Sequence, residues 1–343
     1  MPPNGRAKLD DVAARAGVSR ATVSQVMRGT GRISTETRAR VSAAAAALDY
    51  VPDGRAAAMR SGLNREVGMV IHRIANPFNA EVVGGVTDAL EQHGYLVSVL
   101  DSRDDPQRQE RNLRALIASS RGALLWVPAL DTPAETIEMV RRRGLATVTL
   151  LRDLPEGPAG RRFDHLGIRN AAATRHATEH LIALGHRRFA FFGGVAQNQV
   201  RAERVRGCRE ALAEHGLDPP LLWPCEDEKP AGMAAALELR RRHPDVTALV
   251  CNGDMVALGA SQAFQRLGLR PGRDVSIVGF DGTPDAEVSV PALTTLSVRP
   301  RHVGERLARI LLARIENPGT EPKVRHMTAK LDVRQTTGPA PQP

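Results

Sequence analysis

Near the start of the chain apolar residues recur one helical turn apart. Leu9, Val12, Ala13 and Ala16 fall at i, i+3, i+4 and i+7 and predict a short helix whose first turn carries Asp10 and Asp11, where the helix dipole favours acids. Gly17 ends it. Ser19 then sits in a capping position before a second helix with Val23, Val26 and Met27 inward and Arg20, Ala21, Thr22, Ser24 and Gln25 elsewhere around it. Ser34 caps a third, on which Val41, Ala44, Ala45 and Leu48 repeat the spacing. Three short helices around one small core, with a tight glycine turn between the first two, read as a helix-turn-helix.

After Asn64 the pattern changes. The apolar runs VGMVI, YLVSVL, ALLWV, ATVTLL, FAFFGG, TALVC and VSIVGF predict buried parallel strands. Amphipathic helical stretches such as 78 to 93, 106 to 119, 170 to 184 and 229 to 242 lie between them. The fold class is α/β: a helical headpiece over 1 to 50, a linker over 51 to 64, and two doubly wound lobes over 65 to 335. The polar, proline-rich end, 336 to 343, predicts a disordered tail, and it has no leucine heptad to join dimers into tetramers. Within the linker Pro52 stops the third helix, while Asp53 can cap RAAAMR, a helix too short to be stable by itself.

Composition narrows the function. Of the chain's net +9, residues 1 to 62 hold ten Lys/Arg against five Asp/Glu, the electrostatic footprint of a polyanion binder. The three cysteines, Cys208, Cys225 and Cys251, are too few and too scattered for a disulfide framework and fit buried thiols in a reducing cytoplasm. No signal peptide and no apolar run of about 20 residues is evident, so neither secretion nor membrane insertion is expected. HATEH, His176 to His180, matches a zinc-protease pattern by accident, and the FFGGVAQ loop lacks the lysine-serine ending of a phosphate-binding loop. No serine, histidine and acid spacing suggests acyl transfer, so no enzyme, metal or cofactor is expected.

A helix-turn-helix lays its second helix in the DNA major groove. Arg20 is placed for guanine, Gln25 for adenine and Ala21 for a methyl contact, while Thr22, Ser24, Arg28 and Arg32 suit phosphates; Tyr50 completes the headpiece positions assigned to DNA. Open parallel sheets hold ligands beyond the carboxyl ends of their strands. That rule points to Asn76 through Asn79, Trp126, the 193 to 204 loop, Gly253 with Asp254, and Asp281.

The order LDDVAARAGVSRATVSQVMRG, ISTETRARVSAAAAALDYVPD, NPF, HGY, LGHRR, GDMVALGA, DVSIVGFDGTPDA and PALTT resembles the LacI/GalR family of bacterial transcription regulators over nearly the whole chain. The resemblance implies a homodimer on a palindromic operator and a hinge helix with Met59 as a minor-groove wedge. It also implies a core similar to periplasmic binding proteins, with three crossings between lobes and a small effector in the cleft. It puts lobe 1 at about 65 to 163 and 296 to 322, and lobe 2 at about 164 to 295 and 323 to 335. For the effector it implies Arg204, Asp254 and Asp281, with Phe78, Asn79, Trp126, Arg169, Asn198 and Asp227 around them. The implied effector is a sugar, sugar acid or sugar phosphate, and Arg73 and Arg169, where many members have acids, favour the two anionic kinds. A stand-alone solute-binding protein is the alternative.

Overall fold

The computed structural model describes residues 7–51, 64–119, 122–157 and 163–342. The chain divides into a unit ending at Asn64 and a unit beginning at Arg65.

In the first unit, helices α1 (Leu9–Ala16), α2 (Arg20–Arg28) and α3 (Thr35–Ala47) form where the apolar spacing places them. Asp11 reaches back to accept the Lys8 amide at 2.7 Å, Ser19 caps α2 by accepting the Thr22 amide at 3.1 Å, and Ser34 caps α3 by accepting that of Thr37 at 3.2 Å. Gly17, at φ 62°, takes the left-handed conformation that ends α1. The core is Val12, Val23, Val26 and Val41 with four alanines, and its small residues let three short helices approach closely. Met59 and the expected hinge helix lie outside the described residues.

Among the described residues the second unit holds two six-stranded sheets. The first contains β1 (Glu66–Ile71), β2 (Leu96–Asp101), β3 (Ala123–Trp126), β4 (Ala146–Leu150), β5 (Asp164–Ile168) and β11 (Val324–Met327), all parallel in the order β11-β5-β4-β3-β1-β2. The second contains β6 (Phe189–Phe192), β7 (Leu221–Trp223), β8 (Ala248–Cys251), β9 (Ser276–Asp281), β10 (Thr294–Ser297) and β12 (Lys330–Asp332), in the order β12-β10-β9-β8-β6-β7, with only β12 antiparallel. Helices α4 (Pro77–Glu91), α5 (Pro106–Ala118), α6 (Ala134–Arg143) and α12 (Pro300–Glu316) belong to lobe 1. Helices α7 (Asn170–Ala183), α8 (Gln199–Glu214), α9 (Lys229–Arg242), α10 (Asp254–Arg266) and the short α11 (Pro284–Val288) belong to lobe 2. The return of α12 to lobe 1 is fixed by backbone contact with α4. A Cβ added at Gly85 would lie 2.0 Å from the Arg301 carbonyl oxygen, and one at Gly304 would lie 2.1 Å from that of Val82.

Two sequence expectations change here. The chain crosses between lobes after Ile168, Ser297 and Met327 rather than after 163, 295 and 322, because β5 and β11 pair with each other in the first sheet and β10 runs through Ser297 in the second. The end of the chain is not a disordered tail. The Thr336 hydroxyl donates to the Ile277 carbonyl and accepts from the Thr294 amide, both at 2.8 Å. The Gly338 amide donates to Ser276 Oγ at 3.1 Å, and that of Ala340 to the Leu184 carbonyl at 2.9 Å. Polar composition signalled solvation, but these polar groups find partners on β9, on β10 and at the end of α7.

Candidate functional site

On α2 the exposed residues are Arg20, Ala21 and Arg28, with Thr22, Ser24 and Gln25 half-buried beside them. Arg20, Thr22 and Arg28 have local partners. Arg20 Nε lies 2.9 Å from Asp10 Oδ1 with both side chains largely exposed, so releasing Arg20 costs only about 0–1 kcal/mol. The Thr22 hydroxyl lies 2.9 Å from Ser19 Oγ, and Arg28 Nε donates to the Ser24 carbonyl at 3.1 Å. Gln25 lies over Gly31, where an added Cβ would stand 2.9 Å from Oε1. Arg32 is exposed just beyond α2, whereas Tyr50 rests against the three-helix core, its amide bonded to the Ala45 carbonyl at 2.9 Å.

The second site lies at the carboxyl ends of the lobe 2 strands. Arg204, on the first turns of α8, is buried. Its Nε donates to Asn170 Oδ1 at 3.0 Å, its Nη1 to the Asn252 carbonyl, and its guanidinium lies 3.5 Å from the Phe280 ring centroid. Burial lowers its pKa, and the carboxylates of Asp281, Asp227, Asp254 and Glu203 act against that. Asp281 ends β9 at φ 123°, a conformation costing about 1–3 kcal/mol that a functional site can store. Asp227 is half-buried as a residue, yet its Oδ1 is sealed from solvent and has no hydrogen-bond partner. Burial raises both carboxyls, Asp281 well above the ordinary value; Arg204 opposes each rise. A Cβ added at Gly253 would stand 3.0 and 3.1 Å from the two Asp227 oxygens and 3.3 Å from Asp281 Oδ2, so both acids converge on one place that only glycine leaves open.

Other assigned residues take supporting places. Asp254 is buried with both oxygens occupied: Oδ2 accepts the Thr283 amide at 2.8 Å and hydroxyl at 3.0 Å, and Oδ1 accepts the Thr295 hydroxyl at 2.5 Å. Burial pushes it up to about 6, and the same three donors pull it down. It braces the strand ends beneath the cleft. Asn198 caps α8 by accepting the Val200 amide at 3.0 Å, and Asn79 donates to the Arg73 carbonyl at 2.6 Å, holding the loop after β1. Phe78 is buried in the hydrophobic core. Arg169 is exposed ahead of α7.

Trp126 is a correction. It faces α5 and α6 rather than the strand ends, donating Nε1 to Gln109 Oε1 at 2.7 Å and meeting Phe163 edge-on at 6.2 Å. Alternate strand residues face opposite sides of a sheet, and its register points it away from the cleft. Within HATEH, His180 Nε2 lies 3.3 Å from Thr337 Oγ1, Glu179 pairs with Arg175, and His176 is exposed.

The structure adds residues that composition and spacing missed. Asn252 and Asn170 position Arg204, and Arg201 is buried with Nε donating to the Gly193 carbonyl at 2.9 Å. Neutral amides after a strand carry no charge signal, so nothing in the pattern marked them. Across the cleft Arg73, after β1 of lobe 1, pairs with Glu228 and lies 3.6 Å from Glu226, both in the lobe 2 segment after β7. The carboxyl ends of the two sheets therefore face each other, with the Arg204 cluster on one wall.

A helix-turn-helix unit joined to a two-lobed α/β core with a charged cleft at its strand ends defines the class of bacterial transcription regulators. Residues 8–53 match the family of bacterial regulatory proteins, lacI family, and residues 178–337 match a periplasmic binding protein-like domain. The chain is 32% identical to the HTH-type transcriptional regulator CelR of Thermobifida fusca, across 98% of this chain and 100% of that one. It is 30% identical to the maltose regulon regulatory protein MalI of Escherichia coli K12, across 94% and 96%. Among solved structures, the lac repressor dimer bound to operator and the anti-inducer ONPF superposes with a TM-score of 0.83 at 26% identity, over 97% of this chain and 99% of that one. A CelR–cellobiose complex does so with a TM-score of 0.71 at 32% identity, over 96% and 100%. The chain belongs to the LacI family of bacterial transcription regulators. No helix among the described residues is long and apolar enough to cross a membrane.

Proposed function

We propose that this chain binds a palindromic DNA operator as a homodimer, probing base edges with Arg20, Ala21 and Gln25 and phosphates with Thr22, Ser24, Arg28 and Arg32. A small molecule in the interlobe cleft, gripped by Arg204, Asp281 and Asp227, sets operator affinity. The observation that carries this reading is the exposed, basic face of a serine-capped α2 on a unit with its own core. It agrees with the operator-bound lac repressor and the cellobiose-bound CelR that this chain resembles. Met59, outside the described residues, is the proposed minor-groove wedge. A coupling of about 1–3 kcal/mol between the cleft and DNA changes operator affinity roughly 5 to 150-fold, enough to switch a promoter.

In vitro selection from random duplexes tests the DNA half of this reading. It should return a palindrome whose binding falls steeply with salt. Arg20→Ala should cost about 1–3 kcal/mol and relax preference at one symmetric base pair. Uniform weakening across all sequences would reduce Arg20 to a phosphate contact, and no enrichment at low salt would remove DNA recognition altogether.

A further inference from the structure

The cleft just described lacks something specific. Asn252 is 6% exposed, and its Oδ1 has no hydrogen-bond partner. Its side-chain hydrogen bond to Asp227 must be donated by the amide nitrogen, because a carboxylate accepts, and this leaves Oδ1 as an orphaned acceptor. Asp227 Oδ1 is a second. A buried acceptor without a donor costs about 1–3 kcal/mol, so the site is incomplete until something brings donors. Neither Asp227 nor Asp281 has an ion pair within 4.0 Å among the described residues; Arg204, whose charge acts on both, is turned to Asn170 and the Asn252 carbonyl. Arg73, the cation of the opposite wall, is already met by Glu226 and Glu228. Two carboxylates thus converge beside Gly253 with less positive charge than they need.

We propose that the small molecule held in this cleft carries an ammonium group seated between Asp227 and Asp281, with a neighbouring hydroxyl donating to Asn252 Oδ1. An amino sugar is the class that supplies both. This rests on the cleft being the effector site. An ammonium brings three donors and one charge to a place that offers acceptors and negative charge, whereas a carboxylate or phosphate would face two acids.

The pH dependence has a definite sign. Arg204, Asp254 and Asp227 face Asp281, while Arg204, Arg73, Glu226, Asn252, Asp281, Cys225 and Cys251 face Asp227; burial raises the pKa of both acids. Without ligand, burial favours their protonated forms, and a bound ammonium favours their ionised forms. Affinity therefore rises as pH increases through their raised pKa values, and binding releases protons.

The experiment is a thermal-shift and calorimetric panel on the full-length protein: glucosamine, galactosamine and mannosamine, the parent hexoses, and the matching hexonates, at about pH 5 and about pH 7. At least one hexosamine should raise Tm more than its hexose does, more so at the higher pH, with proton release. Asp227→Asn keeps the amide-sized shape without the buried charge and should fold as well as the native chain. It should cut hexosamine affinity about tenfold more than it cuts that of the parent hexose. Arg204→Ala should abolish both responses. A hexosamine no better than its hexose, a hexonate stronger than either, or a panel that leaves Tm unmoved overturns the ammonium. Ligand shifts that persist unchanged in both variants would instead overturn the assignment of the cleft as the effector site.

Discussion

His72 follows β1 at the lobe 1 wall of the cleft, beside the Arg152–Asp104 ion pair and near Arg73 and Asp101, and its buried Nδ1 has no partner. Burial, reinforced by Arg152 and Arg73 against the opposing carboxylates, lowers its pKa to about 4 from 6.5. The folded protein thus keeps His72 neutral while the unfolded chain takes up a proton below about pH 6.5, so this stability is present above 6.5 and is lost as pH falls towards 4. The loss is at most about 3 kcal/mol, less where water reaches the ring. His72→Gln should flatten the stability slope between those limits in denaturant titrations at stepped pH; an unchanged slope would assign the loss to other groups. What was legible at this scale came through the family resemblance, which implied Arg204, Asp227 and Asp281, and the two acids converge beside Gly253, whereas His72, Asn170 and Asn252 gain their character only from burial. Trp126 was misread because an aromatic residue at a strand end says nothing about which face of the sheet it joins.

Elements were legible in proportion to their apolar periodicity. The helices α1 to α3 and the long hydrophobic strands fall where the pattern puts them, down to Ser19 and Ser34 as caps. By contrast β7, β10, β11 and β12 fall in none of the apolar runs, and β10 is built from Thr294, Thr295, Leu296 and Ser297, with a single apolar residue. Tertiary pairing, not propensity, makes them strands. The end of the chain is the clearest case, because Thr336 acts as a rung between β9 and β10 and is fully buried. Thr336→Val preserves its shape but leaves the Thr294 amide without an acceptor and the Ile277 carbonyl short of a donor. It should therefore cost about 1–3 kcal/mol, seen as a lower Tm and faster amide exchange at Thr294. A variant as stable as the native chain would mean that the segment lies loosely against the lobe.

At the scale of the whole core, the three crossings and the Arg73 bridge decide how the lobes can move. The crossings at 168, 297 and 327 could not be placed from hydrophobic runs, since adjacent strands such as β5 and β6 belong to different sheets with no change in composition. They are the covalent links between the two sheets, and Arg73 adds a side-chain link across the cleft. Arg73 is 31% exposed, and its partners Glu226 and Glu228 are 60% and 51% exposed, so water and salt screen the bridge. Each such pair contributes about 0–1 kcal/mol, enough to shift an open-to-closed ratio by roughly fivefold and no more. Spin labels at the exposed positions Gln107 on α5 and Ala234 on α9 report the lobe separation in the full-length protein. At low ionic strength Arg73→Gln should broaden the distance distribution towards larger separations. At about 1 M salt, where screening acts within about 3 Å, native and variant distributions should coincide. A difference that survives high salt would show that Arg73 holds the lobes by packing rather than by charge.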